Sequence, residues 1–478
     1  MKTLLIYPPR ENYIFGVTPH VYIEADAGNY PPIGMLYIAA CLEKAGVCNV
    51  EVLDAYTEGL SHEDVRNRIA ASAPDVVGVY FSTYYLVDAL KTAENAKKAN
   101  PAAFVVAGGP HTALYPSETA AVPCIDCVLV GEAEESFVEL VKLLREGSRS
   151  EVQNIAGAVT KGTPSGKCAQ LGRIEELDRL PFPARRLIDY SKYKSILTKS
   201  NPITTVITSR GCPFNCFFCS NQESGKKVRY RSAGNVVDEL ESLVQEYGIR
   251  DFLFFDELFT SNKIRTMQIC DEIISRGLKI RWHCRSRVDV LDEEMVKKMK
   301  SAGCRLIQFG IETGNQRLQE LINKKLNLEK VRETVSMVYA SGILTYADFM
   351  FGLPTETDDE MRHTLQYAKS LKLDYIAFGM FHPIPGSIFY DQGIKEKKFE
   401  DFWLKYVKDQ SYVIEDHSWT GKDRERHHLF VADAYRSFYL RPSYMAGRLL
   451  RMDSLPQLIW QLKSAVRVFY NLILKRFR

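Results

Sequence analysis

Three cysteines lie close together in one short, otherwise apolar stretch of the chain, Ser209-Arg-Gly-Cys212-Pro-Phe-Asn-Cys216-Phe-Phe-Cys219-Ser220. Their spacing suits an iron–sulfur cluster, because such clusters are held by cysteine thiolates. A cubane cluster normally takes four thiolates, so three cysteines would bind three irons and leave the fourth open to another ligand. The stretch therefore predicts a [4Fe-4S] cluster that does chemistry at its open iron.

A structural zinc site is the first alternative, because cysteine-rich loops in cytosolic proteins often hold zinc. Zinc usually takes four ligands, and the fourth is missing here. No histidine lies between Gly211 and Trp282, and the next cysteine downstream, Cys270, falls on a predicted helix. A disulfide is also disfavoured, because the chain is expected to be cytosolic and its count of 11 cysteines is odd.

The pattern Cys-x3-Cys-x2-Cys, with the aromatic Phe218 before the last cysteine, resembles the motif of the radical S-adenosylmethionine (SAM) enzymes. The resemblance implies that Cys212, Cys216 and Cys219 hold a [4Fe-4S] cluster and that Phe218 belongs to the cofactor site. It further implies that the open iron binds the amino and carboxylate groups of SAM, and that reduction of SAM yields a 5′-deoxyadenosyl radical. An electron donor such as flavodoxin or ferredoxin is then expected as a partner.

Residues 1–146 alternate short apolar runs with helical patterns. This alternation predicts a doubly wound, Rossmann-like parallel sheet with helices on both faces, in which ligands bind beyond the carboxyl ends of the strands. The predicted strands are residues 3–7, 49–53, 75–81, 103–108 and 127–130, with helices near residues 35–45 and 89–98.

The carboxyl ends of these predicted strands carry glycines and hydroxyl side chains. Ser82 and Thr83 follow the third strand, Gly108-Gly109-Pro110-His111 the fourth and Gly131-Glu132 the fifth. Glycine lets a backbone approach a bulky planar ligand closely, although any doubly wound domain shows similar residues. Together with the cysteine motif that follows, the domain resembles the cobalamin-binding domain of the B12-dependent radical SAM family. The resemblance implies a cobalamin site that includes Ser82, Thr83, Gly108, Gly109, Pro110 and His111.

The better-known cobalamin proteins carry Asp-x-His-x-x-Gly after the first strand, and the histidine ligates cobalt from below. That motif is absent here. The segment Asp54-Ala-Tyr-Thr-Glu-Gly59 has the same spacing, but it follows the second strand and has Tyr56 in place of the histidine. The histidine in the proper loop is His20, and a lone loop histidine is more often solvated than ligating. Cobalamin bound without a histidine lower ligand is therefore expected.

Residues 147–200 lose the regular pattern, and the proline-punctuated segment 177–186 suggests a linker that crosses the surface. The alternation resumes in residues 201–390, where six strand–helix units fit an open (β/α)6 partial TIM barrel. In such barrels chemistry occurs at the carboxyl ends of the strands, and the cysteine loop follows the first strand. The predicted strands are residues 204–208, 251–255, 279–284, 306–310, 344–350 and 375–380.

Polar residues also follow the later barrel strands: Asp256-Glu257 the second, Arg285-Ser286 the third and Glu312 the fourth. Carboxylates at such positions often only cap the next helix, so a single pair would be interpreted as a cap. The resemblance implies instead that Asp256 and Glu257 contact the amino group of SAM. It also implies that Arg285, Ser286 and Glu312 contact the ribose and carboxylate of SAM.

The resemblance extends to about residue 390, and residues 391–478 are predicted to be a helical C-terminal region. Within it, Arg441-Pro-Ser-Tyr444 resembles a segment of the anaerobic Mg-protoporphyrin ester cyclase and hopanoid-type branches of the family. Two pairs elsewhere are predicted to be solvated rather than functional: Arg229 with Arg231, and His427 with His428, because adjacent histidines face different ways on a helix.

The last part of the chain has a distinct composition. From residue 436 to residue 478 there are nine Lys or Arg residues and one acidic residue, Asp453. Apolar residues recur there at helical spacing from Leu455 to Phe477, which predicts an amphipathic basic helix. One hypothesis is that the apolar stripe packs on the barrel. The other is peripheral attachment to an anionic membrane.

Composition places few further limits on function. The chain has 478 residues, 46% hydrophobic and 25% charged, which is typical of a globular protein of two or three domains. A formal net charge of +3 gives no reason to expect a nucleic-acid partner. The apolar run at the amino terminus is interrupted by Pro8 and Pro9, so it predicts a first strand rather than a signal peptide. A cytoplasmic location is expected.

The combination of the two resemblances predicts C-methylation of a small-molecule or lipid-like substrate, because cobalamin carries methyl groups and a radical activates an unreactive C–H bond. Two alternatives stay open. Family members with the same cofactors catalyse oxidation, cyclisation or ring rearrangement without methylation, and a cobalamin-binding sensor would be no enzyme. A methylthiotransferase acting on transfer RNA is disfavoured, because its amino-terminal domain should supply a second cysteine triad.

Overall fold

The N-terminal domain is built on a six-stranded sheet. The structure, a computed structural model, describes residues 1–12, 28–163, 172–195, 197–220, 225–414, 419 and 424–451. The strands in chain order are β1 (Thr3–Tyr7), β2 (Val50–Asp54), β3 (Val76–Tyr80), β4 (Phe104–Gly108), β5 (Cys127–Leu129) and β6 (Ala158–Val159). Their spatial order is β2-β1-β3-β4-β5-β6. The first five are parallel, and β6 is antiparallel to β5.

Helices cover both faces of this sheet, which confirms the predicted doubly wound architecture. Alternate residues of β1 enter different cores: Leu4 and Ile6 pack on one face, and Leu5 packs on the other. Because both faces are buried, the strands are almost continuously apolar. The helices are α1 (Ile33–Lys44), α2 (Ala55–Glu58), α3 (His62–Ser72), α4 (Leu86–Ala99), α5 (Pro116–Ala121) and α6 (Glu134–Arg145).

The barrel domain contains a second six-stranded sheet, which is parallel throughout and has the order β14-β13-β12-β11-β10-β7. This arrangement confirms the predicted partial barrel. Its strands are β7 (Ile203–Val206), β10 (Asp251–Phe254), β11 (Arg281–Ser286), β12 (Cys304–Glu312), β13 (Leu344–Phe351) and β14 (Tyr375–Met380). Its helices are α7 (Ala233–Tyr247), α8 (Lys263–Ser275), α9 (Glu293–Ser301), α10 (Gln316–Leu321), α11 (Leu328–Ala340) and α12 (Asp358–Ser370).

The segment predicted as a surface linker is packed between the two domains. Its residues 158 and 159 form β6, the last strand of the first sheet. Further along, Arg185 is buried and its guanidinium pairs with the carboxylate of Glu239 in α7 at 2.5 Å. The same arginine donates to the hydroxyls of Tyr190 and Thr204. Side-chain hydrogen bonds of this kind satisfy polar groups that an irregular, proline-containing backbone cannot pair by itself.

The C-terminal region packs against both domains. Its helices are α13 (Ile388–Lys395), α14 (Phe402–Lys408), α15 (Arg424–Tyr439) and α16 (Pro442–Leu450). Phe402 and Trp403 of α14 join a core of the N-terminal domain. Tyr444 donates from its hydroxyl to the carbonyl of Asp374, just before β14, at 2.7 Å. The predicted basic helix beyond residue 451 lies outside the described residues. Within those residues, no helix is both long enough and apolar enough to cross a membrane.

Helix α15 covers β14, the edge strand of the barrel. The hydroxyl of Tyr439 accepts from the amide of Ile376 at 3.2 Å and donates to its carbonyl at 3.0 Å. Replacing Tyr439 with phenylalanine should lower the free energy of unfolding by about 1–2 kcal/mol, because both backbone groups lose their partner. Chemical denaturation would measure the change. Tyr247→Phe is the control, since that hydroxyl has no hydrogen bond within the described structure. Equal effects of the two substitutions would contradict this role.

Candidate active site

The three cysteines lie on one loop at the carboxyl end of the first barrel strand. A two-stranded antiparallel ribbon closes the base of this loop: β8 (Ser209–Arg210) enters it and β9 (Arg229–Tyr230) leaves it. The loop is also tied to the residues after α10, where the amide of Phe217 donates to the carbonyl of Ile322 at 3.0 Å. The barrel fold thus presents the thiols at the end where such folds do chemistry.

The environment of the thiols fits an iron–sulfur cluster. Cys212 and Cys216 are half-buried and Cys219 is exposed. Although the residue as a whole is exposed, partial desolvation of its thiol raises the pKa of Cys219 to about 11, and repulsion from the Cys216 and Cys212 thiolates adds to it. Burial also raises the pKa of Cys216, while Lys324 and Arg287 act in the opposite direction. Those two cations can balance the negative charge of thiolate ligands.

Among the described residues, no three Cys, His, Asp or Glu side chains form a site for a single metal ion. A cubane cluster requires a different arrangement from a single ion, because each cysteine binds a different iron of the cluster. The expectation of a cluster therefore rests on the spacing of the three cysteines in one loop.

Asp256 lies beneath the start of the cysteine loop and is fully buried. Its carboxylate accepts from the amide and the hydroxyl of Thr208 at 2.6 and 2.5 Å, and from the hydroxyl of Ser209 at 2.7 Å. These contacts hold the chain where it turns from β7 into the ribbon. The contact of Asp256 with SAM stays a prediction, and the structure adds this positioning role. Glu257 is exposed and lines a small cavity shared with Ser209 and Arg210.

The other predicted SAM contacts occupy two places. Glu312 forms an ion pair with Lys324 at 2.7 Å, and Lys324 lies 5.7 Å from the ring centre of Phe218, so these three residues lie together beside the cysteine loop. Arg285 is exposed inside the barrel mouth. Ser286 is buried, and its hydroxyl is hydrogen-bonded to that of Thr260 at 2.7 Å. Ser286 is therefore already engaged within the protein, and all these SAM contacts stay predictions.

A cavity of about 600 Å³ lies where the carboxyl ends of the two sheets meet. The N-terminal domain contributes Gly108 and Gly109 to its wall, and the barrel domain contributes Ile207 and Phe255. Its volume is within the range of cofactor pockets. The cavity therefore lies where cobalamin and a barrel-bound substrate could meet.

The loop after β4 allows a ligand to approach the backbone. Gly109 has φ +117°, and a Cβ there would lie 2.6 Å from the carbonyl oxygen of Phe81, so only glycine fits without strain. The hydroxyl of Ser82 is buried without a hydrogen-bond partner within the described structure, but Ser82 is absent from the described wall of the cavity. Gly109 itself lines the cavity, so this tight backbone forms part of the wall in which cobalamin is predicted to bind.

The remaining predicted cobalamin residues lie behind the cavity wall. His111 is fully buried, and its Nδ1 is 3.2 Å from the hydroxyl oxygen of Thr83. Burial lowers the pKa of His111 to about 3, so the ring is neutral. It packs against Tyr115 and against Trp403 of α14. Of the predicted cobalamin residues, Gly108 and Gly109 line the described cavity, and Ser82, Thr83, Pro110 and His111 do not.

Tyrosines that the sequence analysis did not single out form another part of the wall. Tyr7 stacks on Tyr80 with ring centres 5.0 Å apart, and Tyr85 meets the edge of Tyr7. Tyr56 also lines the cavity, and its hydroxyl accepts from Arg10 at 3.1 Å. No histidine is present among the described lining residues, and His20 lies outside the described residues. The alternation of apolar and aromatic residues along the strands did not indicate that these tyrosines would line a cavity.

The interior of the barrel contains one further carboxylate, that of Asp348, which the sequence analysis did not predict as a site residue. Asp348 is on β13, beside Gly310 of β12 and Ala377 of β14 in the strand register. Its Oδ2 accepts from the side-chain amide of Gln308 at 2.7 Å. Burial, with repulsion from Glu312, raises its pKa to about 7, although Gln308, Arg285 and Lys324 act in the opposite direction. A carboxyl group of this kind can exchange a proton near neutral pH.

The raised pKa of Asp348 predicts a pH-dependent effect of Asp348→Asn. The folded carboxyl keeps its proton up to about pH 7, whereas the unfolded one ionises near 3.8, so wild-type stability falls as pH rises through this window. The variant should match the wild type below pH 4 and be more stable by up to about 4 kcal/mol above pH 8, because a shift of about three pKa units corresponds to about 1.4 kcal/mol per unit. Thermal unfolding from pH 4 to 9 measures this. A difference that does not change with pH would contradict it.

Comparisons with known proteins agree with this geometry. Residues 206–368 match the Radical SAM superfamily, and residues 19–141 match the B12 binding domain. The chain is 35% identical to an uncharacterized methyltransferase of Pyrococcus horikoshii, over 93% of this chain and 94% of that protein. It is 30% identical to the anaerobic magnesium-protoporphyrin IX monomethyl ester cyclase of Rubrivivax gelatinosus, over 93% of this chain and 78% of the cyclase.

A solved structure shows the same fold. The cobalamin-dependent SAM radical enzyme OxsB, with aqua-cobalamin and SAM bound, superposes with a TM-score of 0.70 at 14% identity. The match covers 99% of this chain and 73% of OxsB. With the cysteine loop, the glycine-lined cavity and the two domain matches, these relationships show that the chain belongs to the B12-binding radical SAM family and is a cobalamin-dependent radical SAM enzyme.

Proposed function

We propose that the enzyme methylates an unactivated carbon of a small-molecule or lipid-like substrate. The observation that carries this proposal is the cavity in which Gly108 and Gly109 of the cobalamin domain face Ile207 and Phe255 of the barrel. When bound there, SAM on the cluster supplies radical chemistry and cobalamin supplies a methyl group. The similarity to a relative described as a methyltransferase supports the same reaction.

The interior of the barrel suits the reacting part of the substrate. A Cβ at Gly379, on β14, would meet no atom within 4 Å, so this part of the interior is open. An apolar layer that includes Leu306, Leu344 and Tyr375 lies toward the other end of the strands. Between them, Asp348 offers a carboxyl oxygen to a hydroxyl or amino group of the substrate, and Gln308 fixes its orientation.

Cobalamin is proposed to bind without a histidine lower ligand. The tyrosines Tyr7, Tyr56, Tyr80 and Tyr85 occupy the described wall on the side of the N-terminal domain. Burial raises the pKa of Tyr7 far above its ordinary value, and the nearby Tyr80, Tyr85 and Asp54 add to this, so its hydroxyl stays neutral. A neutral aromatic wall packs against the corrin without ligating cobalt.

Product analysis tests methyl transfer. Reconstituted protein should be incubated with a chemical reductant, hydroxocobalamin, a metabolite and lipid extract, and SAM with a deuterated methyl group. Methylation predicts S-adenosylhomocysteine together with 5′-deoxyadenosine and a product that carries the label. Deoxyadenosine as the sole SAM product would contradict methylation and favour the second candidate, a cyclisation or oxidation without methyl transfer. The 30% identity to the cyclase of Rubrivivax gelatinosus is the observation that favours that candidate.

An electron donor such as flavodoxin or ferredoxin is proposed as the protein partner, because the exposed Cys219 brings the cluster loop to the surface. The enzyme is proposed to be cytoplasmic and to act without nucleic acid, in keeping with its net charge of +3.

Peripheral membrane contact through the basic tail can be tested by flotation with anionic liposomes. The intact protein should float at low salt and be released as salt rises, because each basic residue near the surface contributes about 1 kcal/mol. A version that ends at Asp453 should stay behind. If the intact protein does not float, or if the shortened protein misfolds, the tail belongs with the barrel.

A further inference from the structure

Two arginines lie side by side at the base of the cysteine loop. Arg210 of β8 is in register with Arg229 of β9, so the two side chains leave the ribbon from paired positions. Arg210 is only two positions before Cys212 in the chain. The sequence analysis predicted a solvated edge at Arg229 and Arg231, and this prediction was wrong. The exposed fractions of these two residues are 3% and 4%.

The partners of these arginines come from the other domain. Glu132 and Glu134 lie at the carboxyl end of β5 and the start of α6. Arg229 binds Glu132 with both of its terminal nitrogens, at 2.7 and 2.6 Å. Arg210 binds Glu134 at 2.6 Å and lies 3.4 Å from Glu132. Two positive and two negative groups thus form one interdomain ion network.

The network is nearly shut off from solvent. The exposed side-chain fractions are 2% for Arg229, 6% for Glu134 and 13% for Glu132. Additional hydrogen bonds fix Glu132, whose carboxylate accepts from the amide of Ile174 at 2.7 Å. A buried, bidentate arrangement is rigid, unlike an exposed ion pair. Its geometry therefore constrains the ribbon against the N-terminal domain.

The same residues form part of the cobalamin cavity. Glu132, Glu134 and Arg210 all belong to its wall. The guanidinium of Arg210 also lies over the ring of Tyr37, with 5.5 Å to the ring centre. One end of the network thus faces the space for cobalamin, and the other end is continuous with the cysteine loop.

We propose that this interdomain ion network couples the two cofactor sites, and that Arg210 is the positioning residue they share. Cobalamin in the cavity orders the wall that holds Arg210, and Arg210 holds the entry to the cysteine loop. The coupling must be reciprocal, because a cluster that strengthens cobalamin binding is itself stabilised by cobalamin to the same degree. The inference rests on the family's cofactors and is independent of which substrate is methylated.

Equilibrium binding tests the proposal on the full-length protein. The dissociation constant for hydroxocobalamin is measured by equilibrium dialysis, once with the reconstituted cluster and once with cluster-free protein. In the wild type the cluster should tighten binding at least about fivefold, a typical coupling between sites. In Glu134→Gln the ratio should fall to near one. Glu134 is remote from the cysteine loop in sequence and reaches it through its ion pair with Arg210, so this substitution tests the network without changing a residue of the loop.

A second experiment measures the reciprocal effect, that of cobalamin on the stability of the cluster. A chelator should remove iron from the wild-type cluster more slowly when hydroxocobalamin is present, and this protection should disappear in Arg210→Gln. The double variant Arg210→Gln with Glu134→Gln removes both charges together, so neither is left buried and unpaired if a single variant folds poorly. Lys227→Gln is the control, because Lys227 is close to Arg229 in the chain but forms an exposed ion pair with Glu175 of the 147–200 segment, at 2.7 Å, outside the network.

The outcomes separate a coupling role from a merely structural one. Loss of both effects in the network variants, with both retained in Lys227→Gln, supports the proposal. Equal hydroxocobalamin affinity of wild-type protein with and without the cluster overturns it. Retained coupling in the double variant also overturns it. None of these measurements requires a substrate, so failure of the methylation proposal leaves this test intact.

Discussion

Replacing Cys212, Cys216 and Cys219 with alanine should abolish both iron binding and reductive cleavage of SAM. The wild-type protein should hold about four irons per chain after reconstitution and show a broad charge-transfer absorption of thiolate ligation. The triple variant should lose both, because it removes all three thiolates that are predicted to ligate iron. Iron analysis, absorption spectra and 5′-deoxyadenosine formation measure the effect.

Cys270→Ala is the control for this prediction, because Cys270 is fully buried in α8 and belongs to the barrel core. It should keep full iron content and SAM cleavage. Full iron loading of the triple variant would mean that the cluster is held elsewhere.

Asp256→Ala should be strongly destabilising. The substitution removes the acceptor for one backbone amide and two hydroxyls, those of Thr208 and Ser209, at a fully buried position. Each buried donor left without a partner costs about 1–3 kcal/mol, so the free energy of unfolding should fall by at least about 3 kcal/mol. Because these residues lead into the cysteine loop, iron content after reconstitution should fall as well. Chemical denaturation and iron analysis measure the two effects.

Glu257→Gln is the matched control for Asp256→Ala, since Glu257 is the neighbouring carboxylate but is exposed. It should leave stability within about 0.5 kcal/mol of the wild type. An Asp256→Ala protein that is as stable as Glu257→Gln would show that the buried carboxylate does not hold the loop. If SAM binding fell in a stable Asp256→Ala protein, the predicted direct contact with SAM would be favoured instead.

The sequence was sufficient to predict the two sheets. Every strand predicted in residues 1–146 and 201–390 is present within a few residues of its predicted bounds, for example β1 (Thr3–Tyr7) and β14 (Tyr375–Met380). Apolar runs buried on both faces of a parallel sheet leave a strong local pattern, and the alternation with helices determines the fold class. The short strand β6 was missed, because two residues at a sheet edge leave no period to detect.

The polar residues were harder to interpret. Arg229 and Arg231 were predicted to be solvated, yet both are buried. Arg229 pairs with Glu132, which is distant in the sequence. Arg231 pairs with the nearby Glu239 and also donates to the hydroxyl of the distant Tyr37. Asp348 gave no signal, since a single carboxylate within an apolar strand is informative only when the strand is known to face the barrel interior. Whether a charged residue is buried and paired depends on which distant segments meet in the fold, and local sequence patterns do not predict those contacts.

The sequence by itself determined the chemistry and the architecture: three thiols at cluster spacing, glycines at strand ends and a strand–helix alternation that places both at the same edge of their sheets. Only the tertiary structure decided how the two domains meet. In the folded protein, Glu132 and Glu134 pair with Arg210 and Arg229, and a cavity lies between the two sheets. The reason is physical, because thiolate ligation and strand formation depend on neighbours in the chain, whereas the cost of burying a charge depends on partners brought together by folding.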